Sequence, residues 1–134
     1  MKKAARIGVI GAGYWGKKVT SEYLALAEEN SKVRLSYVCD SKEENLQYCY
    51  ENMNIPKSHL IKSYEELLLS NNVDAVHICT PNETHYRLCK EALTAGKHVL
   101  LEKPMTLRSS QAFKLMNLAK TCNLTPFENI LDFL

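Results

Sequence analysis

Short apolar runs alternate with longer amphipathic ones along the whole chain. The run Arg6-Ile7-Gly8-Val9-Ile10 predicts a strand buried on both faces. From Tyr14 to about Glu29 the apolar positions Val19, Tyr23, Leu24, Leu26 and Ala27 fit one face of a helix. Val33 to Cys39 reads as a second strand, after which Ser41 is placed to cap a helix from Lys42 to about Asn52. Pro56 breaks the pattern, and Leu60-Ile61 forms a short third strand. Ser63-Tyr64-Glu65-Glu66 has the capping-box arrangement, a hydroxyl followed three residues later by a glutamate, and opens a helix that Asn71-Asn72 ends. Val73 to Cys79 is a further apolar strand bounded by Thr80-Pro81. Glu83 to Ala95 is a helix closed by Gly96 at C′. His98 to Leu101 is a strand stopped by Pro104, and Ser109 to about Cys122 is the last clear helix.

Strand and helix in regular alternation imply parallel strands joined by helical crossovers. Right-handed crossovers make this a doubly wound parallel sheet, an α/β fold of the Rossmann class, and 134 residues suffice for one such domain. Composition changes little: 46% hydrophobic and 24% charged residues are globular values that exclude disordered and fibrous classes. A net charge of +2 gives no argument for nucleic acid or a membrane as partner. No apolar run approaches the roughly 18 residues that span a bilayer. The basic N-terminus is followed by too short an apolar stretch for a signal peptide. The five cysteines are odd in number and form no CxxC pair, so no metal site is expected, and free thiols in a cytoplasmic protein are.

Gly11-Ala12-Gly13-Tyr14-Trp15-Gly16 is a G-x-G-x-x-G that follows a strand and opens a helix. In that context Gly11 permits the tight turn, Gly13 lets backbone approach a pyrophosphate, and Gly16 lets the helix pack close to the sheet. The helix N-terminus offers unpaired N–H groups and a partial positive charge to phosphates. Asp40 ends the second strand 24 residues after Gly16, near the typical ~20 for a ribose-binding acid. A carboxylate there accepts from the adenosine ribose and repels a 2′-phosphate, which favours NAD, whereas Lys42 leaves NADP open. Asp40 also suits a cap for the following helix.

Thr80-Pro81-Asn82 and Glu102-Lys103-Pro104 follow two further strands. In open parallel sheets ligands sit at the carboxyl ends of the strands, so these segments share one edge with the glycine turn and Asp40. At this point the chain, from about Arg6 to Asn123, resembles the glucose–fructose oxidoreductase, inositol dehydrogenase and MocA-like family. The residues that carry the resemblance are Gly11 to Gly16, Asp40, Cys79-Thr80-Pro81-Asn82 with His85, and Ala95-Gly96-Lys97-His98-Val99-Leu100-Leu101-Glu102-Lys103-Pro104. The resemblance implies an oxidoreductase acting with NAD or NADP on a hydroxyl of a sugar, cyclitol or nucleotide sugar. It implies that Lys103 is the catalytic residue, near the nicotinamide and the substrate hydroxyl. It implies that Glu102 and Pro104 shape the cofactor pocket and that Thr80, Pro81 and Asn82 line its nicotinamide-ribose side. His85 is either a cofactor contact or a helix-surface histidine, His77 is structural, and Tyr14 and Trp15 either cover the dinucleotide or pack. Gly-Tyr-Trp-Gly-Lys is similar to the turn of family members that oxidise UDP-linked amino sugars, which makes a nucleotide sugar the first substrate expected.

Family enzymes are more than twice this long, and their second α/β domain, which supplies most of the substrate pocket, has no counterpart here. The expected division is a cofactor domain over 1–123 and a truncated apolar tail over 124–134. A strand beginning near Leu124-Thr125 would meet Pro126, which damages a central strand. Exposed, Ile130, Leu131, Phe133 and Leu134 would make a sticky patch, a route to self-association. Alone, the chain is expected to bind a dinucleotide without turning over substrate. The competing readings are a free-standing dinucleotide-binding regulatory module and a decayed fragment without affinity.

Overall fold

The computed structural model describes residues 3–101 and 108–122, together with the backbone of 126–127. Its elements in chain order are β1 (Ala5–Ile10), α1 (Tyr14–Glu29), β2 (Val33–Cys39), α2 (Glu43–Asn52), β3 (Leu60–Ile61), α3 (Tyr64–Leu69), β4 (Ala75–Ile78), α4 (His85–Thr94), β5 (His98–Leu101), α5 (Ser109–Thr121) and β6 (Pro126–Phe127). The six strands form one parallel sheet in the order β3-β2-β1-β4-β5-β6. The chain therefore winds outward from β1 through β2 to β3, returns to pair β4 with the other side of β1, and winds outward again. The reversal between β1 and β4 is the switch point at which such sheets open a crevice.

Alternate residues of the central strands supply the two faces. Ile10, Val76, Ile78, Val99 and Leu101 pack with Leu67, Leu68, Leu88, Leu93 and Leu115 from α3, α4 and α5. Ile7, Val9, Ala75 and Leu100 pack with Val19 and Tyr23 of α1. The double burial explains why β1, β4 and β5 read as unbroken apolar runs. Tyr23 also reaches His77 of β4, hydroxyl to Nδ1 at 2.7 Å, in the structural role expected of that histidine.

Local chemistry fixes the element ends. Ser63 Oγ accepts from the Glu66 N–H at the start of α3. Gly96 at φ +81° closes α4, with the Lys97 N–H bonding to the Ala92 carbonyl and the Gly96 N–H to the Leu93 carbonyl, a Schellman pair. Several boundaries differ from the sequence pattern: β4 spans Ala75–Ile78 within the expected Val73–Cys79, α4 starts at His85 after the 3-10 turn Asn82–Thr84, and two further differences have a local cause. The helix after β2 starts at Glu43, and it is Asp40, not Ser41, whose carboxylate accepts the Lys42 N–H. The last strand lies at Pro126–Phe127, paired with β5 alone; at a sheet edge the N–H that proline lacks is not needed by the ladder. The rest of the apolar tail, including Ile130, Leu131, Phe133 and Leu134, lies outside the described residues, as do Glu102, Lys103 and Pro104. Among the described residues no helix is long and apolar enough to cross a membrane, and no group of three or more His, Cys, Asp or Glu is placed to hold a metal ion.

At the amino ends of β1 and β4, Arg6 clasps Asp74: Nη2 to Oδ1 at 2.9 Å and Nε to Oδ2 at 3.1 Å, with the Arg6 N–H also on Oδ2 at 2.9 Å. The Arg6 side-chain hydrogen bonds hold the Asp74 carboxyl below its usual range, against the opposing effect of partial burial. An acid whose pKa is depressed by folding stabilises the fold above its unfolded pKa, and that contribution is lost as pH falls through the folded value. Asp74→Asn is therefore expected to lower the urea midpoint at neutral pH, with the gap to the parent closing as pH drops below about 4. A gap that stays constant down to acid unfolding would show that the clasp contributes nothing electrostatic.

Candidate cofactor cleft

The cleft at the switch point has a volume of about 490 Å³ and lies against the carboxyl ends of β1, β2 and β4. Its floor is the glycine turn. Gly11 has φ +103°, a conformation open to glycine, and a Cβ there would stand 2.9 Å from the Cys79 carbonyl. A Cβ at Gly16 would stand 1.8 Å from the Gly11 carbonyl oxygen, so the first turn of α1 lies directly against the loop it leaves. A Cβ at Gly13, in contrast, would meet nothing within 4 Å. The side of the turn on which Gly13 sits is thus open to a ligand.

The helix behind that opening is prepared for an anion. Gly13 caps α1 without a side-chain hydrogen bond, and its first turn has no acidic residue. The first turns of α2 and α3 each carry two glutamates, and α3 has its serine cap. At α1 the orphan N–H groups and the positive end of the helix dipole lack these internal partners. The turn, the uncapped helix and the open cleft fit the diphosphate of a dinucleotide.

Asp40 stands at the end of β2 and lines the cleft. Its Oδ2 accepts from the Ala12 N–H at 2.8 Å and from Asn45 Nδ2 at 3.1 Å, and its Oδ1 accepts from the Lys42 N–H at 2.8 Å. The carboxylate is thus held by the glycine turn and by the residues that lead into α2, whose N-cap is Lys42 with no side-chain cap. Lys42, Lys62 and Arg87 add cations to the wall, Lys62 paired with Glu43 at 2.6 Å. Two other lining groups are chemically quiet. Burial, followed by the charge of Asp40, pushes the Cys39 thiol up to about 12. The Tyr64 hydroxyl is also pushed up to about 12, chiefly by its hydrogen bond to Glu91, so it is a neutral donor at physiological pH.

Of the residues expected at the site, Gly11, Gly13, Asp40, Thr80 and Pro81 line the cleft. Ala12 and Gly16 are buried beneath it, Ala12 through its bond to Asp40. Asn82 lies exposed in the 3-10 turn Asn82–Thr84 that follows β4. His85 corrects the helix-surface expectation: it is 1% exposed, and its Nε2 donates to the Thr80 carbonyl at 3.1 Å, holding the Thr80-Pro81 turn from beneath. Tyr14 and Trp15 do not pack into the core; they are 77% and 48% exposed, with the Lys18 ammonium 4.5 Å from the Tyr14 ring centre. The sequence reading missed Asn45, Lys62, Tyr64, Thr84, Arg87 and Leu88 as lining residues. Most of these stand just after a strand or in the first turn of a helix, so the carboxyl-edge rule would have found them if applied to helix starts as well as strand ends.

With this geometry established, comparison with known proteins is decisive. Residues 5–129 match the family described as "Oxidoreductase family, NAD-binding Rossmann fold". The chain belongs to that family. Among curated relatives it is 34% identical over 119 residues to the UDP-N-acetylglucosamine 3-dehydrogenase of Acidithiobacillus ferrooxidans, covering 89% of this chain and 34% of the relative. It is 31% identical over 122 residues to the myo-inositol 2-dehydrogenase of Thermotoga maritima, covering 91% and 35%. The crystal structure of an NAD-binding protein from Listeria innocua superposes with a TM-score of 0.80 at 32% identity, over 93% of this chain and 34% of that one. The chain thus spans about a third of the length of the relatives it matches.

Proposed function

We propose that this chain is the cofactor-binding part of an NAD(P)-dependent oxidoreductase that acts on a hydroxyl of a sugar, cyclitol or nucleotide sugar. The observation that carries the reading is the cleft at the switch point, floored by a glycine turn whose Gly13 faces open space and walled by Asp40. The Gly11–Gly16 turn and the start of α1 hold the diphosphate, Asp40 the adenosine ribose, and Thr80, Pro81 and Asn82 the nicotinamide end. The fixed carboxylate favours NAD, while Lys42 and Lys62 leave room for NADP. When bound, the nicotinamide supplies hydride acceptor and donor chemistry. Lys103, by family resemblance, orients the substrate hydroxyl and moves its proton, with Glu102 and Pro104 shaping the pocket beside it.

Relatives named for a nucleotide sugar and for a cyclitol support the substrate class. Hydride transfer requires the substrate carbon to be held against the nicotinamide with a base at its hydroxyl. The chain offers the cofactor cleft and Lys103 but a third of its relatives' length, so by itself it binds the dinucleotide and turns over little or no substrate. Calorimetric titration with NADH and NADPH tests the reading: saturable binding with NADH the tighter is expected, and binding of neither would overturn it. Robust sugar oxidation by the purified chain would overturn the claim of inactivity alone.

A further inference from the structure

Asn45 lies in the first turn of α2, half-buried, between two charges. Its Oδ1 accepts from Lys17 Nζ of α1 at 3.3 Å, and its Nδ2 donates to Asp40 Oδ2 at 3.1 Å. The charges fix the orientation of the amide, because the flipped form would set its N–H against the ammonium and its oxygen against the carboxylate. Lys17 is itself held, its ammonium 4.6 Å from the Tyr48 ring centre. A chain of contacts therefore runs from α1 through Lys17, Asn45 and Asp40 to the Ala12 N–H of the glycine turn.

The consequence falls on Asp40. A carboxylate offers about four acceptor positions. Oδ2 uses two, on Ala12 and Asn45, and Oδ1 uses one, on the Lys42 N–H, so an acceptor position remains on Oδ1. The two backbone bonds tie the carboxylate to the turn and to α2. The Asn45 bond is the side-chain restraint that completes the set and determines which oxygen is left for a ligand.

We infer that Asn45 is a positioning residue that sets the preference of this cleft for NAD over NADP, by fixing Asp40 with one Oδ1 acceptor position directed to the ribose hydroxyls. The inference rests on the reading that the cleft holds a dinucleotide with its ribose at Asp40. Without Asn45 the carboxylate keeps its two backbone bonds but loses its side-chain restraint, so Oδ2 gains an open acceptor position and the group rocks about those bonds, while the released Lys17 ammonium offsets part of its charge. Both changes weaken acceptance of a ribose hydroxyl, and neither weakens a 2′-phosphate, which makes no hydrogen bond to Asp40.

The test is calorimetric titration of the parent chain, Asn45→Ala and Lys17→Met with NADH and NADPH, with thermal unfolding of each cofactor-free protein alongside. Asn45→Ala is expected to weaken NADH about tenfold, the scale of one hydrogen bond to a charged group, and to leave NADPH nearly unchanged. Lys17→Met, which keeps the amide but frees it to flip, is expected to shift the ratio in the same direction by less. A ratio within about twofold of the parent in both variants, or NADH and NADPH weakening in step with the unfolding temperature, overturns the inference, since a residue that only stabilises α2 would act on both ligands alike. If the parent binds neither dinucleotide, the cofactor reading falls and this inference with it; parent binding with an unmoved ratio removes the inference alone.

Discussion

Gly16→Ala is expected to remove both measurable NADH binding and much of the stability of the chain, whereas Gly13→Ala removes binding and leaves stability intact. A Cβ at position 16 would stand 1.8 Å from the Gly11 carbonyl oxygen and 2.6 Å from its carbon. Both are backbone atoms, so no side-chain rotation relieves the clash. Gly11 cannot yield easily, because its φ of +103° and its approach to the Cys79 backbone already fix the turn. Either α1 moves off the sheet or the turn opens, at a cost of about 3 kcal/mol or more. At position 13 the backbone has φ −73°, which alanine adopts, and the added methyl meets nothing within 4 Å. The change to stability should stay within about 0.5 kcal/mol. With the diphosphate lying over the turn as proposed, the methyl takes its space, so NADH should weaken by about ten- to a hundredfold, the value of one or more charge-assisted hydrogen bonds. Urea unfolding without cofactor and calorimetry with NADH separate the two effects. Parent-like affinity in Gly13→Ala would mean that the diphosphate does not lie over the turn.

These two glycines also mark how far the sequence could be read. The close packing at Gly16 and the open side at Gly13 were legible because a G-x-G-x-x-G between an apolar strand and an amphipathic helix admits few geometries. The sheet was legible for a related reason: β1, β4 and β5 are covered on both faces, so each is an unbroken apolar run. What was not legible depends on partners distant in sequence. Ser41 does not cap α2, whose N-cap is Lys42, because the chain there is held by Asp40, and the Ala12 N–H that helps hold that carboxylate lies 28 residues away. His85 sits among polar neighbours, and nothing local signals that the Thr80 carbonyl draws it to 1% exposure. Pro126 argued against a strand in a central position; the sheet order places it at an edge, and strand order is a tertiary fact.

Lys97 shows the same limit in a residue that the family resemblance did single out. It belongs to the Gly-Lys-His run before β5, and conversion of that lysine to methionine is expected to destabilise the chain by about 2–4 kcal/mol without weakening NADH. Lys97 is 9% exposed, and its ammonium donates to the Ser70 carbonyl at 2.7 Å and the Val73 carbonyl at 2.8 Å. It thereby pins the loop between α3 and β4 to the start of β5. Burial pushes its pKa down from the ordinary lysine value, with the Asp74 carboxylate opposing, so the charge is held at a desolvation cost that the two carbonyls offset. Methionine preserves the apolar stem and removes the donor, leaving two carbonyls short of a partner. Lys90→Met, on the exposed face of α4, is the control and should move stability by no more than about 0.5 kcal/mol. The ligand arm matters as much as the stability arm. Lys97 acts at the amino ends of β4 and β5, the edge opposite the cleft, so its loss should leave the NADH dissociation constant of the folded protein unchanged. A Lys97→Met protein that kept its stability and lost its affinity would place the residue in the cofactor site and show this assignment of the motif to be wrong.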